Sequence, residues 1–289
     1  MADNLLSLAD HYDAFVFDAF GVLNVGQTAI KGAPECIEQL RALGKRVFVL
    51  TNGASAALTK MRVKFDRLGY DFTDSEIVSS RLAAEQAMVR LSVTLPPSHC
   101  WGAISGGMSG ASDLPVSCKI LDENPADVHA AANLYADVDA FVMLSSLTWN
   151  DTQQQVLLDA LEKNPRPVVI ANPDVVAPHE QGFSLEPGYY AHELLDRLEL
   201  PLEFHGKPFP SVFTLIRERL DALAADDGRV IPDQRVAMLG DTLHTDVLGA
   251  KAAGWGAILV SSHGLFRGFD VQPFIARSGI VPDWIVPSI

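Results

Sequence analysis

The sequence is poor in basic residues and in long apolar runs, and each shortage excludes a class of protein. The chain contains 22 lysines and arginines and 36 acidic residues, which gives a formal net charge of −14 at pH 7. This balance argues against a nucleic-acid partner, because binding the phosphate backbone needs a basic surface. No apolar run approaches the ~20 residues of a membrane-spanning helix, so no membrane association is expected.

Cysteine is also scarce, and histidine shows no metal-binding spacing. The three cysteines, Cys36, Cys100 and Cys118, lie far apart and are expected to be buried small hydrophobic side chains in a reducing compartment. The eight histidines form no His-x-His or His-x-x-x-His pair, so no zinc site is indicated. The first residues are acidic rather than basic, unlike a secretory signal, and a cytoplasmic location is expected.

What the chain does contain is a regular alternation of short apolar runs and helical patterns near both ends. Buried strands are predicted at 13–18, 46–51, 235–240 and 256–260, and helices at 34–43, 56–68 and 246–253. This strand–helix rhythm predicts an α/β fold with a parallel sheet and right-handed crossovers.

The middle of the chain carries elements of its own. Strands are predicted at 99–104, 140–144 and 167–171, and helices at 81–91 and 152–164. About 100 residues are enough for a separate α/β module. We therefore expect a discontinuous core of residues 1–78 and 182–289, interrupted by an inserted module of residues 79–181.

Polar residues stand where the predicted core strands end, which is where open parallel sheets bind ligands. Asp18, Thr51 and Asp241 each follow such a strand, and Lys207 lies in a turn before a helix. Taken singly, each has an ordinary structural role as a helix cap, a strand end or a turn lysine. Together they supply the nucleophile, the hydroxyl donor, the cation and the metal-binding carboxylates that phosphoryl transfer needs.

These residues lie in segments that resemble the four ordered motifs of the haloacid dehalogenase (HAD) superfamily. The segments are DAFGVL at 18–23, LTNG at 50–53, GKP at 206–208 and GDTLHTD at 240–246. ANPD at 171–174 and PG at 187–188 are similar to the branch that carries an α/β cap between motifs two and three. That branch includes 4-nitrophenyl and sugar phosphatases. The resemblance, which covers residues 12–286, implies a HAD-like Rossmannoid core with a cap domain, and such caps often pair, which admits a homodimer.

The resemblance also implies catalytic roles by position. Asp18 would attack phosphorus and become an aspartyl-phosphate. Thr51 and the backbone N–H groups of Asn52 and Gly53 would hold the phosphoryl oxygens. Lys207 would neutralise charge on Asp18 and on the transferred group.

A magnesium site is implied as well. Asp18, Asp241 and the backbone carbonyl of Phe20 would bind Mg²⁺, and Asp246 would support the ion from beyond its direct ligands or through water. Carboxylate, carbonyl and water oxygens are the ligands that Mg²⁺ prefers. The resemblance implies a small phosphorylated metabolite as the substrate. The net charge of −14 does not argue against it, because such a ligand responds to the local field of a cation and a lysine rather than to the charge of the whole chain.

One position departs from the family pattern. Phosphatases of this family carry a second aspartate two residues after the nucleophile, which protonates the leaving oxygen, and here that residue is Phe20. General acid–base catalysis contributes about 100- to 10,000-fold, which phenylalanine cannot supply.

Three interpretations follow from Phe20. In the first, the chain is a phosphatase-like hydrolase that is weak on alkyl phosphates and acts on phosphates whose leaving groups need little protonation, such as aryl or acyl phosphates, or whose substrate supplies its own acid. Hydrolysis of a non-ester bond stays open as a separate alternative. Alternatively, His244 or a residue of the inserted module replaces the acid. In the third interpretation, the chain is a catalytically impaired metal- and ligand-binding protein. The first is the leading expectation.

Overall fold

A computed structural model describes residues 4–106, 111, 113–122, 133–179 and 182–289 of the chain. The fold divides into two compact units. Unit 1 comprises Met1–Thr51, Leu58–Ser79 and Lys207–Ile289, and unit 2 comprises Asn52–Ala57 and Ser80–Gly206. Both units contain parallel sheets and helices, which confirms the α/β class.

The strands of the described residues are numbered in chain order. They are β1 (Ala14–Phe17), β2 (Asn24–Val25), β3 (Thr28–Ala29), β4 (Arg46–Thr51), β5 (Ile77–Ser79), β6 (Trp101–Ser105), β7 (Cys118–Ile120), β8 (Ala140–Ser145), β9 (Val168–Ile170), β10 (Val176–His179), β11 (Gly182–Leu185), β12 (Leu202–Phe204), β13 (Val236–Gly240), β14 (Gly256–Val260) and β15 (Trp284–Val286).

The helices are numbered in the same way. They are α1 (Ala33–Ala42), α2 (Leu58–Arg67), α3 (Ser80–Ser92), α4 (Asp151–Lys163), α5 (Pro187–Arg197), α6 (Pro210–Asp227), α7 (Leu248–Ala252) and α8 (Gln272–Ser278). Short 3₁₀ helices occur at Leu5–His11 and Asp233–Arg235, and Leu243–Val247 forms a π-helical turn. Across the described ranges, no helix is long and apolar enough to cross a membrane.

Unit 1 is built on a six-stranded parallel sheet with the strand order β15-β14-β13-β1-β4-β5. Strand β1 lies inside the sheet, and all four of its residues are buried, as its continuous apolar sequence predicts. Because β13 and β4 pair with β1 on either side, the carboxyl ends of these three strands lie next to one another.

The helix predicted at 246–253 differs from the observed structure. Residues 243–247 form a π-helical turn instead, and regular helix covers only Leu248–Ala252. The turn is widened because the N–H of Val247 donates to the carbonyl of Thr242, five residues back, at 3.2 Å. The side chain of Asp246 also turns back to accept from the N–H of Thr242 at 3.1 Å.

Unit 2 contains a five-stranded parallel sheet with the order β12-β9-β8-β6-β7, together with the antiparallel hairpin β10–β11. Strand β12 pairs with β9, and buried residues of α5 share a hydrophobic cluster with α4. Unit 2 therefore extends to Gly206, beyond the boundary expected at residue 181.

The expectation for the cysteines was wrong in part. Cys36 is buried on α1, whereas Cys100 and Cys118 are only partly buried, and all three thiols are free. Cys100 directly precedes β6 and Cys118 is the first residue of β7. Strand β7 is paired along one side only within the described sheet, which leaves its side chains partly accessible.

Candidate active site

Four predicted site residues of unit 1 meet at the carboxyl ends of its central strands. Asp18 follows β1, Asp241 follows β13, and Asp246 lies in the π-helical turn. Lys207 precedes α6 by three residues. The N–H of Asp18 donates to the carbonyl of Leu239 on β13 at 2.8 Å, which fixes the end of β1 against β13.

Lys207 joins two of the carboxylates. Its Nζ lies 2.5 Å from Asp18 Oδ1 and 2.7 Å from Asp246 Oδ1, and all three side chains are largely buried. Burial alone would lower the pKa of Lys207, but the charges of Asp18 and Asp246 outweigh it and raise that pKa. The lysine is therefore fully protonated near neutral pH.

Carboxylate oxygens of Asp18, Asp241 and Asp246 lie within 4.8 Å of one another, a grouping that could hold a metal ion. Set against the ammonium of Lys207, the three carboxylates leave an excess of two negative charges among buried residues. Burying uncompensated charge is costly. A hard divalent cation with oxygen ligands fits both the charge and the ligand type, and Mg²⁺ meets this description.

The pKa values of Asp18 and Asp241 show that, without a cation, the ionised forms of these carboxylates are disfavoured. Burial raises the pKa of Asp18 well above its usual range, against the opposing charge of Lys207. Burial and the charge of Asp246 raise the pKa of Asp241 to about 6. A bound dication would favour the ionised forms and lower both values.

Asp241 is held in place by its surroundings. Its Oδ2 accepts from the N–H of Leu265 at 2.8 Å, and its Oδ1 accepts from the hydroxyl of Thr242 at 3.0 Å. Gly264 approaches the carboxylate so closely that an added Cβ would lie 1.8 Å from Asp241 Oδ2. Gly264 and Leu265 were not predicted to be site residues. They lie in the loop after β14, which neighbours β13, and such loops at the carboxyl ends of parallel strands commonly contribute to ligand sites.

Thr51, Asn52 and Gly53 follow one another along the chain but fall in different units. Thr51 is the last residue of β4, whose Val49 pairs with Phe17 of β1, so it ends at the same edge of the sheet as Asp18. Asn52 and Gly53 belong to unit 2, where Asn52 is buried and Gly53 is exposed.

Phe20 and His244 bear on the missing general acid. Phe20 is half-buried in the turn after Asp18, where the N–H of Gly21 donates to the carbonyl of Asn24 at 2.8 Å. His244 is exposed in the π-helical turn. Among the described residues, His244 forms no hydrogen bond or ion pair with Asp18, so the alternative in which His244 replaces the acid gains no support.

Lys64 of α2 is a second cation, after Lys207, whose charge interacts with Asp18, and the sequence did not predict it. It is partly buried, and its burial lowers its pKa while the charge of Asp18 opposes that shift. Nothing in the helical pattern of 56–68 distinguishes this lysine from a solvent-facing residue.

Comparison with known proteins gives a consistent result. A family model described as haloacid dehalogenase-like hydrolase matches residues 15–94, and one described as HAD-hydrolase-like matches residues 204–289. Glycerol-3-phosphate phosphatase of Gallus gallus is 28% identical over 292 residues, which cover 96% of this chain and 89% of that protein.

Solved structures agree with the fold. A possible sugar phosphatase of the HAD superfamily from Cytophaga hutchinsonii superposes with a TM-score of 0.80 and 26% identity, covering 100% of this chain and 98% of that one. A glycerol phosphate phosphatase from Mycobacterium tuberculosis, solved in complex with magnesium, has a TM-score of 0.67 and 22% identity, covering 96% of this chain and 75% of that one.

Proposed function

Because the chain belongs to the HAD superfamily and is a hydrolase of the phosphatase type, we propose that it is a magnesium-dependent phosphatase of small phosphorylated metabolites that is weak on alkyl phosphates. The observation that carries this proposal is the buried cluster of Asp18, Lys207, Asp241 and Asp246. The relatives named above, which are phosphatases, support the reaction type.

In this proposal Asp18 is the nucleophile. One of its carboxylate oxygens attacks phosphorus, the bond to the leaving oxygen breaks, and an aspartyl-phosphate forms that water then hydrolyses. Lys207 Nζ, 2.5 Å from Asp18 Oδ1, neutralises charge on the nucleophile and on the transferred group. Thr51 and the backbone N–H groups of Asn52 and Gly53 bind the phosphoryl oxygens.

Asp18, Asp241 and the backbone carbonyl of Phe20 would hold Mg²⁺. When bound, Mg²⁺ supplies a positive charge that stabilises the oxygens of the transferred group. Asp246 pairs with Lys207 and lies within reach of the same ion, so it orients the lysine and completes the acidic cluster.

Phe20 limits the substrate range. It cannot protonate a leaving oxygen, so leaving groups that are stable as anions, such as aryl oxide or carboxylate, are favoured over alkoxide. Most of unit 2 lies in the sequence between motifs two and three, and we propose that it acts as the cap that selects the substrate.

The test compares 4-nitrophenyl phosphate, acetyl phosphate and glycerol phosphate with Mg²⁺ or with EDTA. We expect magnesium-dependent turnover of the first two and a rate on glycerol phosphate lower by about 100-fold or more. Asp18→Asn abolishes turnover, whereas Asp74→Asn, which neutralises an exposed carboxylate of the same unit, leaves it unchanged. Absence of turnover with any substrate, together with retained Mg²⁺ binding, would instead identify a catalytically impaired metal-binding protein.

A further inference from the structure

Asn52 is fixed from three sides within unit 2. Its Nδ2 donates to Asp174 Oδ1 at 2.8 Å, and its backbone carbonyl accepts from the hydroxyl of Ser80 at 2.8 Å. Its Oδ1 lies over Gly206, where an added Cβ would stand only 2.8 Å away. The carboxamide of this buried residue is therefore engaged by the protein, and so is its backbone carbonyl.

Asp174 is itself held by the turn in which it lies. Its N–H donates to Asn172 Oδ1 at 3.1 Å, and Asn172 in turn donates to Glu186 Oε2 at 3.1 Å. Its carbonyl accepts from the N–H of Gly188 at 3.0 Å, and an added Cβ at Gly188 would lie 2.1 Å from the carbonyl oxygen of Pro173. The main chain at Asp174 is thus fixed by the turn in which it lies, independently of Asn52.

We propose that Asp174 is a positioning residue for catalysis. Through the carboxamide of Asn52 it fixes the main chain at Asn52 and Gly53, whose N–H groups bind the phosphoryl oxygens. The inference rests on the proposed function, because only that function gives these N–H groups a role. Donors that are already oriented stabilise transition-state charge without reorganisation, so a loosened loop loses rate as well as affinity.

The chemistry of the contact suggests how to probe it. A carboxylate acceptor makes a charge-assisted hydrogen bond, which is roughly twice as strong as a neutral one. Asp174→Asn keeps an acceptor oxygen and loses the charge, whereas Asp174→Ala loses both. Asp139→Asn is a matched control, because Asp139 is a partly buried carboxylate of unit 2 whose Oδ2 accepts one hydrogen bond, from the N–H of Cys100 at 2.9 Å.

The experiment measures kcat and KM for 4-nitrophenyl phosphate, and the affinity for inorganic phosphate with Mg²⁺ by calorimetry. We expect Asp174→Ala to lower kcat/KM and phosphate affinity by roughly 10- to 100-fold, whereas the melting temperature falls by only a few degrees, because a single buried hydrogen bond is lost. Asp174→Asn recovers about half of this loss on a logarithmic scale. Asp139→Asn behaves as the wild type.

A double-mutant cycle with Asn52→Ala separates positioning from simple stabilisation. If Asp174 acts through Asn52, the double variant is no worse than Asn52→Ala alone. Additive losses, or an Asp174→Ala variant with wild-type kcat/KM, overturn the proposal and leave the phosphatase assignment intact. A wild type that binds phosphate without turnover rejects the phosphatase instead, and the phosphate affinities still decide the role of Asp174. A wild type that does neither rejects both.

Discussion

Asp241→Asn should stabilise the metal-free protein and abolish its response to magnesium. Asp241 is almost completely buried beside Asp246, and its pKa rises from 3.8 to about 6. Asparagine has nearly the same shape, and its Oδ1 can still accept from the N–H of Leu265. The substitution therefore removes the buried charge while keeping the main hydrogen bond.

The size of the effect follows from the pKa difference between the folded and unfolded states. A folded-state pKa of about 6 against 3.8 is about two units, or about 3 kcal/mol at 1.36 kcal/mol per unit. Because the pKa is raised on folding, the native state keeps a proton that the unfolded state loses between these pH values. The free energy of unfolding of the metal-free protein therefore falls as pH rises through this window, and the full cost is present at pH 7.

The assay is thermal unfolding in EDTA and in excess Mg²⁺, at pH 7.5 and at pH 5. At pH 7.5 in EDTA, Asp241→Asn should melt up to roughly 6–12 °C above the wild type, at about 2–4 °C per kcal/mol. This advantage should shrink by about half at pH 5, where native Asp241 is protonated. Magnesium at 100 times its Kd adds about 2.7 kcal/mol to the wild type and nothing to the variant.

Asp74→Asn is the control for net charge, since its carboxylate is exposed on the same unit and should shift the melting temperature little. The reasoning is refuted if Asp241→Asn melts below the wild type in EDTA while Asp74→Asn does not. It is also refuted if Mg²⁺ raises the melting temperature of the Asp241→Asn variant as much as that of the wild type.

Two further substitutions test the general acid and the metal site. Phe20→Asp should raise kcat/KM for glycerol phosphate by about 100-fold or more, because it places an acid two residues after Asp18, the proposed nucleophile; a folded variant that stays inert would count against this proposal. Gly264→Ala should weaken Mg²⁺ binding, measured by calorimetry, by about tenfold, because its Cβ would displace the Asp241 carboxylate from a position 1.8 Å away. Ser262→Ala, an exposed residue of the same loop, is its control, and equal losses in both variants would contradict the steric explanation.

Most of the sheet of unit 1 could be predicted because its strands are continuous apolar runs that end in polar residues. Strand β4 was predicted at its observed bounds, and β1 and β13 within one residue at each end. Three-residue strands such as β5 and β12 were not predicted, because so short a run shows no period. Missing β12 also led to the early boundary at residue 181, since its pairing with β9 is what joins residues 202–204 to unit 2.

The site residues that lie in sequence motifs could be predicted. The residues that reach the site only through tertiary contacts could not. Asp18, Lys207, Asp241 and Asp246 lie in ordered motifs, and the structure brings them together. The N–H of Leu265 has no side-chain signal, because any residue there would donate the same hydrogen bond. Lys64 feels the charge of Asp18 only through the packing of α2, which periodicity does not specify.

The strand order of unit 1 has a consequence for biosynthesis. Strand β1 is flanked by β4 and by β13, and β13 begins at Val236, more than 200 residues after β1 ends. A nascent chain therefore exposes one edge of the buried strand β1 until residues 236–240 have been made. The last strand of the unit 2 sheet ends at Phe204, before β13 begins. During translation the sheet of unit 2 can therefore form while the sheet of unit 1 is still incomplete, and a chaperone would bind a chain in that state.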